Sequence, residues 1–279
     1  MAGPNIQINR FKDLSVSKAG SPINGLVSAR YSLNRDVNNI FKLGSSNPVA
    51  NYGSLPEIEV SYTGYANGSI GGFDVSEANT FTTIFINGSN GGVGCGLAVL
   101  SSVRFDMSVD EPFTITKTFT GYSKPQGGGE GEGSLLPYVI KRADYSGGLP
   151  SGISGNYLTK VSAEISISRD IVGEFATRRP YASVVTYPIK QSITYDVIAS
   201  SMDSVVIDDL YQACENPDST KYDASIGACG ISYGISNAYV TSIEYGGGEA
   251  SPNGSPQTIS ITYTSYDEIP GLKPIILFD

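Results

Sequence analysis

A stretch of ten residues that occurs twice constrains the fold of this chain more than any other feature. Residues 27–36, VSARYSLNRD, return as residues 161–170, VSAEISISRD, with six of the ten positions identical and an offset of 134. Self-similarity at a fixed offset is typical of repeated structural units. Later stretches keep the same order, and we therefore interpret the chain as a tandem duplication.

Two further matches extend the duplication towards the end of each copy. Residues 95–97, Cys-Gly-Leu, align with residues 229–231, Cys-Gly-Ile, at the same offset, which makes the two cysteines counterparts. Residues 112–122 align with residues 256–266 at an offset of 144. We place the ten additional residues in the glycine-rich stretch 246–254, because insertions at a loop tip cost little free energy.

A glycine-rich acidic stretch separates the two copies. Residues 123–134 contain GGGEGEG, a composition that cannot form a packed core and is typical of a flexible linker. The sequence therefore predicts two β domains, residues 1–122 and 135–267. An apolar tail, residues 268–279, follows them, and we expect it to lie extended across its own domain or a neighbour.

Short alternating segments predict strands in both copies. Ile58, Val60 and Tyr62 alternate with polar residues, which is the pattern of a half-buried strand. The other predicted strands are 26–33, 80–86, 97–107, 113–119, 162–168, 193–197 and 258–264. Residues 203–214 have helical spacing and predict a helix.

Three segments between the predicted strands are interpreted as non-strand. Residues 35–41 suit a short helical turn or a loop, residues 45–53 suit a loop, and the glycines of 92–96 favour a tight turn. The predicted fold class is therefore mainly β. It consists of two tandem β-sandwich or partial-barrel domains, each with at most one short flanking helix.

The composition excludes several kinds of site. The chain has no histidine, so the commonest general base and the commonest zinc ligand are missing. No glycine motif for nucleotide binding is present. We therefore expect no enzymatic activity, no cofactor and no metal. The net charge of −9 argues against tight binding of nucleic acid, but it suits a wall past which nucleic acid slides.

We expect no membrane segment and no secretion. No run of apolar residues is long enough to span a bilayer, and no signal peptide is visible in the first residues. The three cysteines are therefore expected to be reduced thiols, with a bond between Cys214 and Cys229 as the alternative.

The most distinctive charged features are the two Arg-Asp pairs. Neighbouring residues on a strand point to opposite faces, so one residue of a pair can bind within its domain while the other reaches a neighbouring subunit. The alternative is an aspartate that caps a turn beside a solvated arginine. Two glutamates on the alternating strand are further candidates for assembly. The candidate assembly residues are Arg35, Asp36, Glu57, Glu59, Arg169 and Asp170.

Three features together resemble the tube proteins of long-tailed bacteriophages. They are the duplicated strand followed by Arg-Asp, the strand at 57–62, and the threonine-rich strand that ends at Tyr122 or Tyr266. Tube, distal-tail and baseplate-hub proteins of this family are β-barrel-like or sandwich domains with one flanking helix, and they form six-fold rings around a channel.

The resemblance implies a structural protein of the virion tail, assembled in the host cytoplasm. Three chains of two domains each would form a homotrimeric ring with pseudo-six-fold symmetry. The implied partners are further copies of the chain and other tail proteins, such as sheath, terminator or baseplate. DNA would pass through the ring without specific binding.

Other functions remain open at this point. A single-ring adaptor or hub of the tail or baseplate would have the same pattern. Tandem β-sandwiches on a virion that bind a carbohydrate or a receptor would suit the tyrosines and the Asn-Gly loops. A hydrolase with a pair of carboxylates, such as Glu57 and Glu59, is the least consistent, because no histidine and no catalytic motif accompany them.

Overall fold

The fold of the chain is mainly β. The computed structural model describes residues 15–34, 37–41, 43, 48–53, 57–88, 91–121, 126–128, 140, 144–149, 158–173, 180–199, 221–228, 230–246 and 257–276. The first ten strands are β1 (Ser15–Lys18), β2 (Ser21–Pro22), β3 (Leu26–Asn34), β4 (Val37–Phe41), β5 (Pro48–Gly53), β6 (Glu57–Tyr65), β7 (Thr82–Gly88), β8 (Gly91–Ser108), β9 (Thr114–Gly121) and β10 (Gln126–Gly128). The next eight are β11 (Leu158–Ser166), β12 (Arg169–Gly173), β13 (Pro180–Val185), β14 (Lys190–Ala199), β15 (Tyr222–Ala228), β16 (Ile231–Gly246), β17 (Gln257–Ser265) and β18 (Ile275–Ile276). One helix lies within these ranges, α1 (Val75–Ala78); the predicted helix at 203–214 falls outside them.

One antiparallel sheet runs through both halves of the chain. Its central strands are, in spatial order, β3, β6, β9, β8, β11, β14, β17 and β16. β8 is 18 residues long and bonds different neighbours along its length, β7 and β10 near its start and β9 and β11 further on. The pairing of β8 with β11 joins the two halves.

The pairings of the first half recur in the second half in the same order. β3 pairs with β6 as β11 pairs with β14, and β4 pairs with β5 as β12 pairs with β13. β6–β9, β7–β8 and β8–β9 correspond in the same way to β14–β17, β15–β16 and β16–β17. We call the two sets repeat 1 and repeat 2.

Backbone irregularities recur together with the pairings. Each is a β-bulge, in which one strand carries an extra residue that bends it. Ser101 and Thr241 are such a matched pair: the Ser101 hydroxyl donates to the Thr118 carbonyl at 3.0 Å, and the Thr241 hydroxyl donates to the Thr262 carbonyl at 3.3 Å. The other matched bulges are at Val27 and Thr159, Val49 and Tyr181, and Thr83 and Asp223.

The bulges show that the offset of 134 taken from the ten-residue match is wrong for the first strands. The bulge at Val27 corresponds to the one at Thr159, an offset of 132. Arg169 therefore occupies the position of Val37, because each is the first residue of its strand pairing. A slip of two residues keeps every side chain on its own face of a strand, so the alternation of polar and apolar residues cannot reveal it.

The cysteine match and the placement of the added residues are also wrong. Cys95 pairs with Ile84 within β7–β8, and the corresponding residue of repeat 2 is Ile235, which pairs with Ala224. The offset grows from 133 between β6 and β14 to 140 between β7 and β15. Most of the added residues therefore precede β15 and do not lie in 246–254.

Most predicted strands are confirmed, and four non-strand assignments are wrong. Residues 37–41 and 48–53 form the paired strands β4 and β5. Gln126–Gly128, within the predicted flexible linker, forms β10 and pairs with Gly92–Gly94 of β8. A glycine-rich edge admits such a strand because no side chain stands in the way of a close approach.

The glycines of 92–96 lie within β8 and do not form the predicted tight turn. A Cβ atom added at Gly94 would overlap the carbonyl oxygen of Ile84 and would lie 2.9 Å from the Cα of Phe85. Both are backbone atoms of β7, which cannot move without breaking its pairing with β8. The close approach of two strands, and not a turn, explains the glycine at this position.

Replacement of Gly94 by alanine is expected to lower the free energy of unfolding by about 1–3 kcal/mol, the usual cost of overpacking. Gly72→Ala is the matched control, because the nearest atom to its added Cβ is Ile231 Cγ2 at 3.6 Å, an ordinary contact. The control should be neutral or slightly stabilising. Urea denaturation of both variants tests this, and equal midpoints would contradict it.

Candidate channel face and inter-repeat contacts

One face of the eight-stranded sheet forms the hydrophobic core. Tyr62 stacks on Phe119 with ring centroids 5.8 Å apart, and Phe105 stacks on Tyr233 at 5.4 Å. The second stack joins β8 of repeat 1 to β16 of repeat 2. Further fully buried side chains on this face are Val60, Val103, Ile115, Ile165, Ile193, Tyr195, Ile261 and Tyr263.

The opposite face of the sheet is lined by hydroxyl side chains, and we call it the hydroxyl face. Thr63 and Thr116 are hydrogen-bonded at 2.8 Å, and Thr194 and Thr262 at 2.9 Å. The two threonines of each pair stand directly opposite each other on neighbouring strands. All four are half-buried, so their hydroxyl groups remain partly accessible to solvent. Other half-buried hydroxyls of the face are Ser61, Ser102, Thr114, Thr118, Thr120, Ser162, Ser166, Ser192, Ser242 and Ser260.

Charged residues are scattered over the hydroxyl face with a small acidic excess. Arg104 donates two hydrogen bonds to the carboxylate of Asp106, at 2.7 and 3.0 Å, and stands opposite Glu164 of β11. The basic residues of the face are Arg30, Arg104, Lys160 and Lys190; the acidic ones are Glu57, Glu59, Asp106, Glu164, Asp196 and Glu244. Among the described residues, this face has no basic cluster that would hold a phosphate chain.

The structure divides the predicted assembly residues between two surfaces. Glu57 is exposed and Glu59 half-buried, and both lie on the hydroxyl face. Arg169 and Asp170 lie on β12, in a separate small sheet with β13 and β18. Arg35 and Asp36 fall outside the described residues. The structure therefore does not bring the four described residues together into one site.

Arg169 makes a contact between the repeats. It is half-buried, and its guanidinium donates to the carbonyl oxygen of Ala78, the last residue of α1, at 2.5 Å. A cation at this end of a helix meets carbonyls that have no partner within the helix. Arg169 thus reaches within the chain, and the alternative of a solvated arginine is wrong for this residue. Asp170, its neighbour, is exposed.

The C-terminal tail lies against the same helix. Asn79 donates to the carbonyl of Gly271 at 2.7 Å, and its side-chain oxygen accepts from the backbone of Lys273 at 2.7 Å. Further on, Ile275 and Ile276 pair with β13. The described part of the tail therefore contacts both its own repeat and the other one. No pattern in the sequence connects Asn79 with residues almost 200 positions later.

A buried ion cluster fixes α1 to repeat 1. Glu77 accepts from Lys117 at 2.5 Å and from Lys18 at 2.6 Å, and the side chain of Lys117 is only 2% exposed. Burial lowers the pKa of Lys117, and the negative charge of Glu77 opposes that change. Lys117 pairs with Tyr62, whose hydroxyl is buried; burial first and Glu77 second raise the pKa of this tyrosine. In repeat 2 the position of Lys117 is held by Ile261.

The buried tyrosines make stability depend on alkaline pH. Burial raises the pKa of Tyr62, Tyr195 and Tyr233, and it raises the pKa of Tyr145 to about 12. A raised pKa in the folded state gives stability that is fully present below the unfolded value of 10 and is lost as the pH rises above it. Lys117 has the opposite effect: because its pKa is lowered in the folded state, its contribution to stability increases as the pH rises towards the unfolded value of 10.5.

We therefore expect the free energy of unfolding to fall above pH 10. The slope is about 1.4 kcal/mol per pH unit for each tyrosine that ionises only on unfolding. Tyr62→Phe removes one such group and keeps the ring, so the slope of its unfolding free energy against pH should be smaller by the contribution of one tyrosine. Urea denaturation of both proteins between pH 8 and 11 measures the slopes, and identical slopes would contradict the assignment.

A scan against models of protein families found no match. A search of curated proteins found no significant match. Within the described ranges, none of the helical structure has the length and apolar character needed to cross a membrane.

Proposed function

We propose that this chain is a structural subunit that assembles with copies of itself into a ring or tube, as the tail tube proteins of long-tailed phages do. In this proposal DNA passes along the channel without specific binding. The observation that supports it is the single antiparallel sheet in which two repeats stand side by side, with one buried face and one hydroxyl face.

The continuity of the sheet supports a ring. Each repeat contributes four strands to the central sheet, and the next repeat is added edge to edge through β8 and β11. The matched bulges bend both repeats in the same way. A unit that adds to its like with a fixed rotation forms a ring when that rotation closes after a whole number of units. Three chains would then supply six repeats, and closure would pair the free edges of the central strands, β3 and the end of β16.

The chemistry of the hydroxyl face supports its role as the channel wall. Serine and threonine side chains are short, and they offer water-like hydrogen bonds without a strong charge. The six acidic residues outnumber the four basic ones, so the wall repels phosphate weakly and holds it nowhere. An enclosed hydroxyl-lined wall therefore lets a polyanion slide.

Negative-stain electron microscopy of the purified chain, with mass photometry on the same sample, tests this function. We expect rings or stacked tubes with a central hole and masses at multiples of three chains. Single rings that never stack would favour the adaptor or hub alternative. A monomer that persists at high concentration would contradict self-assembly.

A further inference from the structure

The contact between the two repeats is a complete strand interface, which we call the internal seam. Residues 102–108 of β8 pair with residues 160–166 of β11. Val103 stands opposite Ile165, and Phe105 stands opposite Ala163, and all four are at most 2% exposed. The seam thus buries apolar side chains on the core face, and its polar side chains, such as Arg104 and Glu164, lie on the hydroxyl face.

β3 and the end of β16 correspond to the two strands of the internal seam, and within the described structure they do not pair with each other. β3 corresponds to β11, and among the described strands it pairs only with β6. The last residues of β16 correspond to the end of β8, and in the same part of the structure they pair only with β17. Leu33 occupies the position of Ile165, but it is 49% exposed, whereas Ile165 is 0% exposed. Leu33 is thus an apolar side chain exposed to solvent at a position that is buried in the internal seam.

We infer that β16 of one copy pairs with β3 of a second copy of this chain, in the register of the internal seam. This inference rests on the proposed ring and identifies the surfaces that close it. The offsets of 132 and 140 between the repeats fix the register. The resulting pairs are Asn34 with Ser242, Leu33 with Ile243, Ser32 with Glu244, Tyr31 with Tyr245, and Arg30 with Gly246.

The two strands of the inferred seam carry charges opposite in sign to those of the corresponding strands in the internal seam. This reversal favours the inferred pairing over a mispaired one. In the internal seam β8 carries Arg104 opposite Glu164 of β11. In the new seam β16 carries Glu244, and β3 carries Arg30 two residues from the opposite position, within reach diagonally. If β16 of another copy took the place of β8 beside β11, Glu244 would stand opposite Glu164, and like charges in that position are destabilising. The seam therefore favours alternation of repeat 1 and repeat 2 around the ring.

A pair of cysteines tests the register. In the full chain, Leu33→Cys combined with Ile243→Cys should give disulfide-linked multimers of the chain under mild oxidation. Val103→Cys with Ile165→Cys occupies the same two positions of the internal seam and should link within one chain. Leu33→Cys with Glu244→Cys is the matched control, because the two side chains would lie on opposite faces of the sheet. The parent chain, with its own three cysteines, gives the background.

The outcomes separate this inference from the proposed function. Rings in the microscope without linkage between Leu33→Cys and Ile243→Cys, while the internal pair does link, would overturn the seam and leave the ring. Linked multimers in rings support both. Linked multimers that form no ring would support the seam and count against the channel.

An exchange of the charges at Glu244 and Arg30 tests whether the two repeats alternate around the ring. Both residues are exposed, so the variants are expected to fold. Glu244→Arg places two arginines at the seam and should raise the dissociation constant between copies by about tenfold or more. Glu244→Arg combined with Arg30→Glu restores opposite charges and should restore assembly. Mass photometry at low and high salt measures both. An unchanged distribution for the single variant, or no recovery in the double variant, would overturn the charge assignment.

Discussion

Replacement of Glu77 by alanine is expected to lower the free energy of unfolding by about 3–5 kcal/mol, the usual cost of removing one partner from a buried ion pair. The ammonium group of Lys117, whose side chain is 2% exposed, would lose the carboxylate 2.5 Å away. Lys18 is 30% exposed and would be solvated instead. Urea denaturation at pH 7 measures the effect. Part of the loss should be recovered as the pH rises, because an unpaired buried lysine becomes neutral more easily.

The corresponding site in repeat 2 suggests a second substitution that should restore the stability of this variant. Ile261 occupies the position of Lys117 and is 2% exposed, so an apolar side chain fits the corresponding site. The double variant Glu77→Ala, Lys117→Ile should regain most of the lost stability. Asp106→Asn is the control, because its pair with Arg104 is partly exposed and should cost at most about 1 kcal/mol. A double variant no more stable than Glu77→Ala would show that the buried charge is not the cause.

Truncation of Phe105 to alanine is expected to cost about 3–5 kcal/mol, the range for large aromatic side chains in a core. Phe105 is fully buried between Phe113, at 6.4 Å, and Tyr233, at 5.4 Å between ring centroids. Tyr233 belongs to the other repeat, so the cavity would open where the halves of the chain meet. Denaturation followed by fluorescence and by circular dichroism measures the loss.

The stacking of the two rings can be measured apart from the cavity. A double-mutant cycle of Phe105→Ala and Tyr233→Ala should give a coupling of about 0.5–1.5 kcal/mol. Tyr266→Ala is the control, because this tyrosine is 51% exposed and its removal should change stability by at most about 0.5 kcal/mol. Additive effects of the two core variants would mean that the rings do not interact across the repeats.

The alternation of apolar residues predicted most strands, but it could not set the register between the repeats. Ile58, Val60 and Tyr62 predicted β6, and all three are fully buried in it. The match of residues 27–36 with 161–170 is two positions away from the structural correspondence. A slip of two leaves the pattern of faces unchanged, and six identities reinforced the wrong alignment. Only the hydrogen-bonded pairing, with its bulges, distinguishes the two alignments.

The sequence predicted the candidate site only for residues whose placement depends on the alternation within a single strand. Glu57 and Glu59 were identified from their own alternation, and both lie on the hydroxyl face. The ion cluster was not, because Glu77 and Lys117 are 40 residues apart, on a helix and a strand. The one sequence feature that pointed to it is the position of Lys117 among Phe113, Ile115 and Phe119 on the apolar side of the strand. A cation there needs a buried partner, but the sequence does not say which residue it is.

The matched bulges have a consequence for ancestry. A side chain can be exchanged by one substitution, but removal of a bulge takes a deletion in its own strand or an insertion in the partner strand. Either change turns every later side chain of the altered strand to the wrong face. Selection therefore tolerates the exchange of almost any residue around Val27, Thr83 or Ser101 more easily than the loss of the bulge itself. Across generations the spacing of such irregularities outlasts the identities of the residues that surround them. Distant kin of this chain are thus better sought by the intervals between bulges than by letters in common.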